Sequence, residues 1–400
     1  MITRKINNTN RSKCTGCFAC ASVCPIDCIE MISDNEGFWY PAVNESCIEC
    51  GKCIDVCHIF KNEKVDNHPI AYACKNTDEE IRSESSSGGV FYELAAYMLS
   101  QKGVVFGAGY NANFEVVHTY VENIADLKRF QRSKYVQSKI GNTFKQAKKF
   151  LLSGRNVLFS GTPCQIAGLK SFLGKPYDSL TCVDFICHGV PSPLVWKKYI
   201  EYQEKRSKSR TQKVDFRVKD EGWRRFSVRF IFENHTKYQQ TLLKDLYMNV
   251  FLSDICLRPS CYHCDFKTLH RQSDITLADF WGVQFICPEI DDNKGTSLVF
   301  VNSKSGIEIF DSIMSALIHK EVEINLSVKY NPSAIRSSSP HPDRAKFLVK
   351  ILNTPFNVVA KEYCMENVGF KKKVSLLIYS FLHIFNVKKF IEGKSLKISG

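Results

Sequence analysis

The sequence predicts a small cysteine-rich domain followed by an α/β body, on three observations. The run C-x2-C-x2-C-x3-C occurs twice in the first 57 residues, the composition changes after Lys64, and buried-strand and helix-period segments alternate from residue 70 onward. Alternation of that kind argues a mainly parallel sheet with helices packed on it, α/β in the body and α+β overall. Four hundred residues exceed one typical domain. The expected division is 1–64, 65–150, 151–330 and a basic helical tail over 331–400.

The first segment reads Cys14-Thr-Gly-Cys17-Phe-Ala-Cys20-Ala-Ser-Val-Cys24-Pro25, and the second reads Cys47-Ile-Glu-Cys50-Gly-Lys-Cys53-Ile-Asp-Val-Cys57-His58. Three closely spaced thiolates wrap one face of a cubane, and the fourth of each run ligates the other cluster in two-cluster bacterial ferredoxins. Cys14, Cys17, Cys20 and Cys57 are therefore expected to hold one 4Fe-4S cluster, and Cys47, Cys50, Cys53 and Cys24 a second. Gly16 and Gly51 let the backbone approach the cluster sulfurs. His58 replaces the usual proline, and Cys28 stands outside the pattern as a structural thiol. A pair of zinc sites is the rival, but zinc ribbons need only two C-x2-C units per metal and no third cysteine at fixed spacing.

Eighteen cysteines with no leading apolar run after Met1 suggest metal binding in a reducing cytoplasm rather than disulfides. The net charge of +13 gathers at Lys128 to Arg155, at Lys205 to Arg229 and in the tail, while residues 1–65 are near neutral. Basic surface suits an anionic ligand or membrane as well as nucleic acid. No helix-turn-helix, zinc-finger or RNA-recognition motif is present, so nucleic acid is not an expected partner.

In the body, Val65 to Pro69 reads as a linker and Ile70 to Cys74 as a strand. Ser85-Ser86-Ser87-Gly88-Gly89 leads into Val90 to Ser100, whose apolar residues share one helical face. The serines are expected to cap that helix, whose N-terminus is either an ordinary surface cap or an anion site. Val104 to Tyr110 and Glu115 to Val121 alternate like paired strands. The stretch from Arg129 through Arg132 and Lys134 to Ser138 is either a solvated face or a phosphate grip. Val157 to Ser160 and Leu180 to Ile186 are buried-type strands that run into Cys164 and Cys187, at strand C-termini where ligands sit in open α/β sheets. Cys256-Leu-Arg-Pro-Ser-Cys261-Tyr-His-Cys264 supplies a C-x2-C pair. With Cys164 and Cys187 it makes a third four-cysteine set, for a 4Fe-4S cluster or for zinc with Cys256, His263 or His270. Cys74, Cys182, Cys287 and Cys364 read as core residues.

Six motifs follow in order: Ser86-Ser-Gly-Gly89, Ser133-Lys-Tyr-Val-Gln-Ser138, Gly161-Thr-Pro-Cys-Gln-Ile166, Cys187-His-Gly-Val-Pro-Ser192, Leu257-Arg-Pro-Ser-Cys-Tyr262 and Asp274-Ile-Thr-Leu-Ala-Asp-Phe-Trp-Gly282. Over residues 10–330 the set resembles the coenzyme F(420) hydrogenase/dehydrogenase beta-subunit family, in the bacterial form with an N-terminal ferredoxin segment. The resemblance implies an FAD-dependent iron–sulfur oxidoreductase passing electrons between clusters, flavin and a small-molecule substrate, with a redox donor or acceptor protein as partner. It makes Ser87, Gly88, Gly89, Lys134, Tyr135, Gly161, Thr162 and Gln165 candidate flavin contacts, with Asp274 and Asp279 lining the same pocket. Similar chains are often associated with surface-polysaccharide synthesis. His188, at a strand end, is the candidate proton donor. The alternatives are an electron-transfer subunit without its own substrate, and a zinc-stapled binding protein.

The tail carries an apolar run over 374–387 between lysines, about 14 residues against the roughly 20 that span a bilayer. It reads as a core-docked helix or an interfacial one that would hold the enzyme at the inner membrane face.

Overall fold

The computed structural model describes residues 5–6, 10–61 and 65–366. The apolar run of the tail lies outside the described residues. No helix among them is long and apolar enough to cross a membrane.

The cysteine-rich segment is built on a hairpin of β1 (Ile29–Ser33) and β2 (Trp39–Val43), paired antiparallel with Ile29 opposite Val43. Its turn closes because Asp34 Oδ1 accepts from the N–H groups of Glu36 and Phe38, and Gly37 takes a φ of 87°. Two short helices, α1 (Ala19–Val23) and α2 (Lys52–Asp55), each start after a left-handed residue, Phe18 and Gly51 respectively. The sequence repeat is thus a structural repeat.

The body's main sheet has eight strands. β3 (Ile70–Asn76), β4 (Val104–Tyr110), β5 (Val116–Val121), β6 (Val157–Ser160), β7 (Leu180–Phe185), β11 (Ile275–Asp279), β12 (Ser297–Val301) and β13 (Leu317–Val322) lie in the order β13-β3-β12-β11-β7-β6-β4-β5. β4, β6, β7 and β11 are mutually parallel. β12 is antiparallel to both β11 and β3, so β3 runs with the parallel set. One edge of the sheet therefore carries the C-terminal ends of β3, β4, β6, β7 and β11. β6 and β7 are apolar at nearly every position, as strands covered on both faces require. Strands from 65–150 and from 151–330 alternate across this sheet, so the boundary expected at 150 falls inside one structural unit.

Helices cover both faces. Between β3 and β4 lie α3 (Glu79–Glu84) and α4 (Val90–Ser100), and the latter buries Val90, Leu94, Ala95, Met98 and Leu99. Its N-cap is Gly89, at φ 90°, and not a serine. The serine hydroxyls are engaged elsewhere: Ser85 with Ile81 O, Ser86 with Ser133 and Ser87 with Thr296 O. Next come α5 (Thr143–Leu152) and α6 (Pro163–Leu173); α6 begins with a reciprocal Thr162–Gln165 capping box and Pro163, and ends at Gly174, φ 73°.

A second sheet, β10-β9-β8, is antiparallel: β8 (Thr211–Val218), β9 (Ser227–Phe232) and β10 (Lys237–Thr241). Val214, Phe216, Val228, Phe230 and Phe232 pack with Trp196 and Tyr199 of α7 (Pro193–Ser207), Tyr247 of α8 (Leu246–Leu252) and Phe347 and Phe356 of two later helices, Arg344–Asn353 and Phe356–Lys361. The described part of the expected tail therefore belongs to the body. Cys74, Cys182, Cys287 and Cys364 are all buried, at most 4% exposed.

The cysteine-rich segment is docked, not tethered. Lys145 pairs with Asp27 at 2.6 Å, and Arg344 grips Glu36 with two guanidinium nitrogens. The expected linker is pinned: Asn67 Nδ2 donates to the carbonyls of Arg271 and Asn302, and His270 Nδ1 donates to Asn67 O at 2.7 Å.

Candidate iron–sulfur and flavin sites

Within the repeat, each cysteine run curls so that its first three thiols face inward. Burial pushes the Cys20 thiol well above its ordinary pKa, and the nearby Cys17, Cys14 and Cys57 add to the shift. Cys57 is pushed up to about 12, again by burial first and then by Cys17 and Cys14. The fourth cysteine of the second run thus sits with the first three of the first run. Cys24, Cys47, Cys50 and Cys53 line a separate concavity with Ile26 and Ile48 at its rim. Cys28 joins this second group, its Sγ 3.3 Å from Cys24 Sγ, so it is not a thiol remote from the ligand pattern. The groups differ in access: Cys14, Cys17, Cys20 and Cys57 are buried, whereas Cys50 is exposed.

In the body, four cysteines far apart in sequence line one cavity at the C-terminal edge of the sheet: Cys164 after β6, Cys187 after β7, and Cys261 and Cys264 from the Pro259–His263 turn. Burial raises the Cys164 thiol well above its usual range, with further contributions from Cys264, Cys187 and Cys261. Cys187 is pushed to about 11 and Cys261 to about 12, burial leading in both. Buried thiols stay protonated without a counter-charge, and ligation displaces those protons. The cavity wall carries no carboxylate and does carry Arg258, Lys267 and Arg271. Lys267 Nζ donates to the carbonyls of Cys187, His188 and Ser333. Arg271 is 3% exposed, and its Nε has no hydrogen-bond partner among the described residues. Four soft donors inside a positive, carboxylate-free wall suit an anionic thiolate cluster.

The zinc rival fares differently. Cys256 is fully buried and does not line this cavity, His263 is exposed, and His270 is committed to Asn67. Among the described residues, no three His, Cys, Asp or Glu side chains are grouped to hold one metal ion. His188 does line the cavity. Its Nε2 lies 2.6 Å from Asp254 Oδ1 and its Nδ1 3.3 Å from Ser333 Oγ, which fixes the ring.

The inner cysteine group and the body cavity share a wall. Thr15 follows Cys14 and lines the cavity, and its Oγ1 lies 2.9 Å from His58 Nε2. The His58 ring meets Phe266, another lining residue, edge to face at 5.2 Å. Burial pulls the His58 pKa down to about 4, so the ring is neutral. The residue that replaces proline is thus part of the contact between the two sites, a role its position in the repeat did not signal.

The structure divides the candidate flavin contacts. Gly88 packs against β3 and β12, where a Cβ would stand 2.3 Å from Cys74 O. Ser87, Gly89, Tyr135 and Asp279 gather around Arg217, which is 1% exposed, donates to Ser86 O and pairs with Asp279 at 2.6 Å. Arg217 also lies beside the Tyr135 hydroxyl, and Lys219 Nζ donates to Ser87 O at 3.0 Å. Ser86 Oγ and Ser133 Oγ meet at 2.9 Å across the crevice. Arg132 is already paired with Glu84. Lys134 and Lys219 have no carboxylate within 4 Å among the described residues; backbone carbonyls hold each Nζ, and burial pulls both down to about 7. Two buried lysines without counter-ions fit an anionic group such as a cofactor pyrophosphate.

Gly161, Thr162 and Gln165 belong instead to a buried polar network beside the four-cysteine cavity. Gln165 Nε2 donates to Ser138 Oγ at 3.0 Å, Ser138 Oγ to His118 Nδ1 at 2.8 Å, and His118 Nε2 to Ser160 O at 3.0 Å. Asp274 lies at the opposite end of β11 from Asp279, roughly 16 Å away along the strand. Its carboxylate accepts from Ser303 Oγ and from Cys182 N–H, so it does not line a pocket with Asp279.

Residues 154–325 match the family model described as the C terminus of the beta subunit of coenzyme F420 hydrogenase/dehydrogenase. A chain in the xenon-derivatised F420-reducing NiFe hydrogenase complex from Methanosarcina barkeri superposes with a TM-score of 0.44 and 17% identity, covering 77% of this chain and 96% of that one. No curated protein matches the sequence.

Proposed function

Taking the chain as a member, through residues 154–325, of the coenzyme F420 hydrogenase/dehydrogenase beta-subunit family, we propose that it is an iron–sulfur flavoprotein oxidoreductase. Its ferredoxin segment feeds a third cluster and a flavin at the C-terminal edge of the body sheet. The observation that carries this reading is the convergence of Cys164, Cys187, Cys261 and Cys264 on one cavity whose wall includes Thr15, next to the ligand Cys14.

When bound, cubane clusters move single electrons and a flavin converts them to two-electron chemistry. The protein's part is placement and charge. Cys24, Cys47, Cys50 and Cys53 form the outer site, and exposed Cys50 between Ile26 and Ile48 is where a donor or acceptor protein docks. Cys14, Cys17, Cys20 and Cys57 form the inner site, sealed against α6. Lys267 and Arg271 offset the thiolates of the third site. Lys134 and Lys219 hold the flavin's phosphates, while Tyr135 and Asp279 line its pocket with Arg217. His188, oriented by Asp254, is placed to move a proton at the cavity. The surface-polysaccharide setting rests on the resemblance alone.

Metal and flavin analysis of the full chain purified without oxygen tests the reading. It requires iron and acid-labile sulfide for three cubanes, and FAD. A colourless protein holding zinc rejects it. Iron for two clusters, with no flavin, reduces the chain to an electron carrier.

A further inference from the structure

Arg258 is the most deeply buried cation near the clusters, and the redox reading above assigns it no part. It is fully buried, and among the described residues no carboxylate lies within ion-pair distance of it. Nε donates to Cys14 O at 2.7 Å, Nη2 to Trp39 O at 2.9 Å, and Nη1 to Gln137 Oε1 at 3.0 Å. Nη2 also points at Cys14 Sγ, 3.7 Å away. The guanidinium lies over the Tyr40 ring at 4.4 Å. Its other side lines the cavity of Cys164, Cys187, Cys261 and Cys264.

A guanidinium keeps its proton in any protein interior, and burying it without an opposing charge is strongly unfavourable. Neutral carbonyls and rings soften that cost but do not cancel it. Four thiolates around a cubane leave net negative charge, and Arg258 stands between two such sets. Even Gly16 serves this placement, since a Cβ there would lie 2.8 Å from Nη1.

We propose that Arg258 is the charge bridge between the inner ferredoxin site and the third four-cysteine site, raising the reduction potential of the inner cluster above that of the outer one. Hydrogen bonds and positive charge at the ligand sulfurs stabilise the reduced state. The outer site has no comparable buried cation, as Lys52 beside it is exposed. The electron held by the ferredoxin segment therefore rests on the inner side, next to the body. This inference rests on the proposed cluster assignment.

The test is a redox titration of the anaerobically purified full chain, followed by EPR, for the wild type, R258Q and R258K. The inner signal is identified by its loss in C14S. R258Q is expected to retain the wild-type iron content while its inner midpoint moves negative and its outer midpoint stays; R258K returns the inner midpoint toward the wild type. Loss of the inner cluster in R258Q but not in R258K also supports the bridge. Unchanged midpoints in iron-replete R258Q overturn it. So does equal loss of the cluster in both variants, because shape rather than charge is then what Arg258 supplies. Iron-free wild-type protein defeats the cluster assignment instead, and shows before any variant is made.

Discussion

Gly168 on α6 faces Cys17 across the seam between the cysteine-rich segment and the body, so closely that a Cβ would stand 2.9 Å from Cys17 Sγ. The glycine lies mid-helix, where it weakens α6 relative to alanine by about 1 kcal/mol. Its retention makes sense as clearance for the thiol. G168V is expected to overpack this seam at a cost of about 1–3 kcal/mol. Iron content should fall through loss of the inner site while the far-UV circular dichroism of the body persists. Wild-type iron in G168V contradicts this account.

The third site makes a separable prediction. C187S or C264S removes one of the four cavity thiols and should lower bound iron by about one cluster's worth, leaving the two ferredoxin-type signals intact. C256S is the control, because Cys256 is buried outside the cavity. An equal loss of iron in C256S and C264S speaks against the assigned ligand set.

Much of this was readable from spacing. A repeated thiol pattern dictates the Cys57 crossover, and two strand-terminal cysteines dictate convergence at one sheet edge. The three-stranded sheet was not legible, because β8 breaks its own alternation. Arg217 is buried on it in a left-handed conformation, and the register with β9 shifts between Asp215 and Val218. Charge read along Lys205 to Arg229 hid a core-facing Val214 and Phe216. Asp274 and Asp279 illustrate another gap: a motif lists residues in order but does not say which end of a strand each occupies. Arg258 stood in view within its motif, yet burial is a tertiary property and composition gives charged residues a surface prior.

The flavin reading turns on the two lysines without counter-ions. K134M and K219M each remove a buried cation from the crevice by Ser86 and Ser133 and are expected to lower FAD occupancy about tenfold or more, equivalent to losing roughly 1.5–3 kcal/mol for a charge-assisted hydrogen bond. Iron should be unaffected. Flavin released on denaturation, measured by fluorescence, reports the occupancy. Full FAD in both variants removes the lysines from the site.

His118 sets the acid limit of the body. Its ring is buried, stacked on Phe159 at 5.6 Å, and burial pulls its pKa from 6.5 down to about 4. Nε2 donates to Ser160 O and Nδ1 accepts from Ser138, so the native network uses the neutral ring. The unfolded chain, with the ordinary pKa, binds the proton first. The native state is therefore fully favoured above about pH 6.5, and stability falls as the pH drops from there toward 4. The whole window is worth roughly 3 kcal/mol at 1.36 kcal/mol per pKa unit. Urea unfolding of the body at pH 7.5 and 5.5 should show this loss in the wild type and a shallower loss in H118Q, whose amide cannot titrate. Identical slopes for the two proteins mean that the acid sensitivity comes from another group.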